Sequence, residues 1–169
     1  ALVGTALGFF TARYISADGL RVLVGIVALA YALHYFWPHT RAETHEPSAR
    51  LGMFWGAMAG FTSFSIHAGG PPLQAYLLQH RMDRTTFQAT GVFFFFVVNW
   101  SKVFPYAWLG QWNSDALLTS IVLLPIAPIG VALGRRLHHR INDAAFFGVI
   151  HASLFFIGSK LLYDAMATP

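Results

Sequence analysis

Ser63, Ser65 and His67 run directly into Ala68-Gly69-Gly70-Pro71-Pro72, with Gln74 just beyond. Hydroxyls, an imidazole and exposed backbone amides can coordinate an anion through hydrogen bonds. An imidazole, which titrates near neutrality, can also carry a proton. Pro71 and Pro72 lack N–H donors and disfavour helix at Gly70 and Pro71. Gly69 and Gly70 adopt backbone angles closed to other residues and let another group come close. These residues predict two half-helices, Leu51–Ile66 and Pro72–Leu78, with a break over His67–Pro72. Half-helix N-termini in membranes face anions, so Ser63, His67, Ala68, Gly69, Gly70 and Pro71 are the substrate-binding candidates, with free amides expected at Ala68, Gly69 and Gly70. A kink kept only for packing is the plainer alternative, but a kink needs one breaker and this stretch has four.

Two other groups could take part. Lys102 is the only cation between Arg84 and Arg135 and lies in an apolar run beside Asn99 and Ser101. An ionisable residue inside a span is a functional candidate by default, and Asn99 and Lys102, three apart, share a helix face. Either Lys102 binds the anion with Asn99, or it snorkels to the interface near Gly110. His151, near the middle of the last apolar run, could join His67 in a proton relay, or could make a single interhelical hydrogen bond.

The elements that carry these residues are membrane helices. Of 169 residues, 56% are hydrophobic and 11% charged, and mean hydropathy is +0.52. A soluble domain carries about a quarter charged residues, so an all-α integral membrane protein is expected. Leu51 to His80 contains no Asp, Glu, Lys or Arg. The net charge of +4 sits in short gaps between apolar runs, the pattern of orientation signals rather than of a nucleic-acid face. With no cysteine, disulfides, thiolate catalysis and Cys-ligated metals are excluded. Acids are nearly absent from the apolar runs and no hydrolase or metalloprotease motif occurs. No enzyme activity, cofactor or metal is expected.

Six segments approach the span length of about 20 residues: Ala1–Ala12, Leu20–Trp37, Leu51–Leu78, Thr86–Leu109, Ala116–Gly134 and Ala144–Tyr163. Ser16 and Asn142 suit helix N-caps. If each segment crosses once, the joints holding Arg13 and Arg21, Arg81 and Arg84, and Arg135, Arg136 and Arg140 share the cytoplasmic side. Pro38–Arg50 then lies outside, as does the C-terminus. VGTALGFFTARYIS from Val3 aligns with IGVALGRRLHHRIN from Ile129, matching Gly4 to Gly130, Gly8 to Gly134 and Ser16 to Asn142. The offset implies roughly 75 residues before Ala1 and a whole protein of eight spans in two repeats. Residues 1–37 would end the first half, 38–50 would join the halves, and 51–169 would form the second. Gly52, Gly56 and Gly60 form a stripe for close helix packing.

The pattern G-x-x-S-x-x-x-H-A-G-G-P-P-L, from Gly60 through Ser63 and His67 to Leu73, resembles the sulfite exporter (TauE/SafE) family. So does NWSKVFPYAWLGQW, from Asn99 to Trp112. The resemblance covers the chain as the C-terminal two thirds of a member and departs by lacking a first glycine motif. It implies a multi-pass transporter of the inner cell membrane, an exporter of small sulfur-containing anions such as sulfite or organosulfonates. The expected partners are a small anionic substrate and membrane lipid, with no nucleic acid; the sequence leaves a homo-oligomer open. An anion channel and a non-transporting membrane scaffold remain the alternative readings of the residues.

Overall fold

The computed structural model of the chain describes residues 1–11, 14–36, 48–80, 82–110 and 114–167. Within them the regular elements are helices: α1 Leu2–Thr11, α2 Ala17–Phe36, α3 Ala49–Ile66, α4 Gly70–Leu77, α5 Arg84–Trp108, α6 Ser114–Leu123, α7 Ile126–Arg140 and α8 Asp143–Ala167. Local chemistry sets several boundaries. Ser48 caps α3 through the Leu51 amide, and Asp83 caps α5 through the amides of Thr85 and Thr86. The Thr86 hydroxyl and these amides hold the Asp83 carboxyl below the usual carboxylate range. Ser16 accepts from the Gly19 amide at 3.4 Å and Asn142 from the Ala145 amide at 2.8 Å, the capping role expected of both.

Three helices are long and apolar enough to cross a membrane: α2, α5 and α8. A fourth span forms if α6 and α7, bent by 47° at their junction, count as one. Leu124 and Pro125 occupy that junction, and proline is a common cause of such a bend. Counted as one, α6 and α7 make the expected fifth span, Ala116–Gly134, longer and broken, with Arg135, Arg136 and Arg140 at the end of α7. At ten residues, α1 is about 15 Å long, half of the hydrocarbon thickness.

The third segment is not a single crossing. Tyr76 of α4 lies over Gly52 near the start of α3, and Gly69 lies against Ala59. Leu73 and Leu77 pack with Ala59 and Phe87 in one buried cluster. α4 therefore doubles back along α3 and forms a helical hairpin that enters and leaves at one end. Six single crossings are not observed, because the run of thirty apolar residues is used out and back. The break falls within the expected His67–Pro72 but is shorter. Helix ends at Ile66 and resumes at Gly70, so Gly70 and Pro71 are helical, the prolines filling first-turn positions that need no donor.

Around this hairpin the packing fixes direction. α5 runs parallel to α3, with Phe94 beside Gly56 and Lys102 beside Ser63. α1 also runs parallel to α3, its Gly4 against Ala57 and its Gly8 against Phe61 and Phe64. Gly56 and Gly60 admit Ala1, so the glycine stripe is a packing surface. α2 and α8 are antiparallel: Tyr35 stacks on His151, while Gly25 meets Gly158 and Leu162. Of the Phe93–Phe96 run, Phe94 and Phe95 pack against the core and Phe93 and Phe96 are exposed.

One end of the molecule gathers the α4–α5 and α7–α8 turns. Arg84 donates to the Ile141 carbonyl and pairs with Asp143 at 3.2 Å; Thr85 meets His138 at 3.3 Å. Ser48, at the start of α3, belongs to this same end. The α1–α2 turn lies at the opposite end, beside the end of α8. The odd joints therefore do not share a side, which corrects the orientation read from charge alone. Arg13, Trp37, Arg41, Arg81 and Trp112 lie outside the described residues.

Arg84, Arg135, Arg136 and Arg140 make the gathered end the basic one, and an excess of Lys and Arg is the mark of a cytoplasmic face. Single cysteines at Ser48 and Asn142 should label together with an impermeant reagent from the cytoplasmic face, and one at Ser16 only from the other. Opposite labelling of Ser48 and Asn142 would restore the single-crossing topology.

Candidate functional site

Where α3 stops, its last carbonyls need donors, because hydrocarbon supplies none. His67 takes the left-handed conformation (φ 56°), turning the chain so that its own amide and that of Ala68 return to the Thr62 carbonyl. Histidine is among the few non-glycine residues enriched there. α5 supplies donors to the next two carbonyls. Lys102 Nζ donates to the Ser63 carbonyl at 2.7 Å and to Ser63 Oγ at 2.6 Å. One turn on, Tyr106 Oη donates to the Phe64 carbonyl at 3.0 Å. A cation at a helix C-terminus also meets the negative end of the helix dipole. Two side chains four residues apart on one helix thus clip the end of another.

The start of α4 is satisfied differently. Proline occupies its first positions and contributes no donor. Among the described residues no acceptor meets the amides of Gly69 and Gly70. The two glycines differ in their surroundings. A Cβ at Gly69 would stand 2.5 Å from the Ala59 carbonyl oxygen and 2.6 Å from Ser63 Cβ, whereas one at Gly70 would meet nothing within 4 Å. Gly69 is a packing glycine, and Gly70 faces open space.

One turn after Gly70, Gln74 lines a cavity of about 430 Å³ between α4 and α5, together with Asn99 and Gln88. Gly91 also lines it and leaves room at its wall. The Oε1 of Gln74 is buried and has no partner.

These positions sort the candidate residues. Ser63, Ala68, Gly69, Gly70 and Pro71 gather at the break with Lys102, but the Ala68 amide is spent on Thr62 rather than free. Lys102, 5% exposed, does not snorkel; its ammonium is committed to Ser63. Asn99 turns toward the cavity, so these two residues serve adjacent faces of α5 rather than one. His67 is exposed, with the Tyr106 ring 6.0 Å away. His151 stands apart in the α2–α8 seam, donating from Nδ1 to the Phe147 carbonyl at 2.6 Å and stacked on Tyr35 at 3.8 Å. Its one hydrogen bond thus lies within α8 rather than between helices, and among the described residues no chain of groups joins it to His67. Tyr106 and Gln88 were not anticipated. Both could have been read from helical spacing, Tyr106 one turn from Lys102 and Gln88 on the stripe with Gly91, Phe95 and Asn99.

The sequence profile described as sulfite exporter TauE/SafE matches residues 1–161. The chain belongs to the sulfite exporter TauE/SafE family. No curated protein and no solved structure gave a match. A TauE/SafE protein is a multi-pass membrane transporter of the inner membrane acting on small anions, not an enzyme. For this TauE/SafE chain the profile covers nearly all of the sequence, so the likeness is not confined to the two glycine–proline and Asn99–Trp112 motifs.

Substitutions should separate support from site. Gly69→Ala forces backbone apart and should cost about 1–3 kcal/mol, and Lys102→Met strands the Ser63 carbonyl at about 1–3 kcal/mol. Gly70→Ala should leave stability unchanged. Thermal unfolding of the purified protein in detergent checks all three; an equal loss for Gly70→Ala would contradict the assignment.

Proposed function

We propose that this transporter exports small sulfur-containing anions, sulfite or organosulfonates, and holds them at the start of α4. The observation that supports this is the pair of unpartnered amides at Gly69 and Gly70, placed one turn from a cavity edged by Gln74 and Asn99. Amide donors suit the oxygens of a sulfite or sulfonate head. Ser63 and Lys102 act here by fixing the end of α3, and His67 by turning the chain.

The matched segments of α1 and α7 precede turns at opposite ends of the molecule. Read as a repeat, they are related by inversion, the arrangement in which one half rocks against another around a midplane site. An interior-negative potential favours anion exit by about 2.3 kcal/mol per charge per 100 mV, so export needs no proton partner, and His67 need not titrate.

Efflux of labelled sulfite from proteoliposomes, with potential and pH gradient set independently, tests this reading. Flux should follow potential and saturate. Gly70→Leu should abolish it with folding retained, and His67→Gln should preserve it. Flux that persists in Gly70→Leu would move the site elsewhere, and flux lost with its pH dependence in His67→Gln would require proton coupling.

A further inference from the structure

The cavity between α4 and α5 has polarity without charge. Gln74, Gln88 and Asn99 offer carboxamides, and Leu73, Phe87 and Phe95 supply apolar wall. No Asp, Glu, Lys, Arg or His is among its lining residues. The charged and titratable groups nearby face elsewhere. Arg84 is tied to the start of α8, Lys102 to Ser63, and His67 lies against Tyr106. His80, after α4, turns its Nδ1 to the Tyr76 carbonyl. The buried Gln74 Oε1 lacks a donor, and a half-turn of that carboxamide presents NH₂ in its place. The carboxamide N–H groups of this lining are the donors available to an acceptor-rich ligand.

Resting on the function proposed above, we propose that this cavity selects its ligand by charge number, accepting a monoanion and rejecting a dianion of the same shape. Carboxamides and the start of a helix offer dipoles, not a full compensating charge. The charging cost of an ion in a low-dielectric site grows with the square of its charge, so a dianion loses about four times what a monoanion loses. With Lys102 committed to Ser63, no full positive charge faces the cavity, so the dipoles that can hold one negative charge leave a second uncompensated. The apolar wall adds room for a short carbon substituent. For a ligand whose second proton leaves near neutrality, the bound species is the protonated monoanion, and binding falls as pH rises through that ionisation.

Methanesulfonate, a monoanion at every working pH, and methylphosphonate, which becomes a dianion, have nearly the same shape. Both would compete against labelled sulfite efflux in proteoliposomes at zero potential, at one pH below the second phosphonate ionisation and one above it. The ratio of half-inhibiting concentrations, phosphonate to sulfonate, should rise at least about tenfold between the two. Asn99→Lys, at an exposed position, should cancel that rise by adding a positive charge, and Gln88→Lys at the rim provides an independent version. A ratio unchanged with pH while sulfite flux persists would overturn the charge selection alone. Failure of methanesulfonate to compete would also overturn it, and absence of any sulfite flux would overturn the underlying transport reading.

Discussion

A helix that ends within a membrane exposes carbonyls that water cannot reach, and each unpaired one costs several kcal/mol in hydrocarbon. α3 ends this way, and the rest of the site depends on how its carbonyls are met. His67 and Ala68 return their amides to Thr62, while Lys102 and Tyr106 reach in from α5. Because both α5 donors point at consecutive carbonyls, they fix the height of α5 against α3 as well as closing the helix. That register in turn sets Asn99 across from Gln74. The donor side of the break is left open at Gly69 and Gly70. With the carbonyls of Thr62, Ser63 and Phe64 met and the amides of Gly69 and Gly70 spare, donors face the break without a free cation in it.

This arrangement gives Lys102 a different meaning from the one its sequence suggests. A buried ammonium invites the role of anion ligand, yet its two short hydrogen bonds go to one serine. The ammonium acts on the site through the backbone it anchors. The same separation appears in the two glycines, one crowded by backbone and one facing empty space. Adjacent residues of the same type thus perform packing and access.

The break was legible in the sequence because its cause is local: proline lacks a donor and glycine lacks a side chain wherever they stand. The caps at Ser16 and Asn142 were legible for the same reason. The direction of α4 was not, since it depends on Tyr76 reaching Gly52 and on Leu73 and Leu77 meeting Ala59, contacts between residues far apart in the chain. Once α4 was read as continuing, every later crossing inherited the wrong side. Charge counting could not correct this, because Arg21 at the far end is offset by Asp18 at 2.5 Å, and Lys160 by Asp164 at 2.8 Å. The bend between α6 and α7 had a visible proline, but a 47° angle is a tertiary outcome. Asn99 and Lys102 were expected to share one face; their division between cavity and helix end depends on the position of α3, which the sequence does not carry.

The central claim is that α3 and α4 form a hairpin that doubles back at His67–Gly69. Nitroxide labels on cysteines replacing Gly52 and Tyr76, in the protein reconstituted in lipid, report it directly by pulsed dipolar spectroscopy. The hairpin predicts a short separation, on the scale of one tyrosine side chain, as Tyr76 lies over Gly52. A separation of about 36 Å, the rise of twenty-four residues continuing along one helix axis, would contradict it.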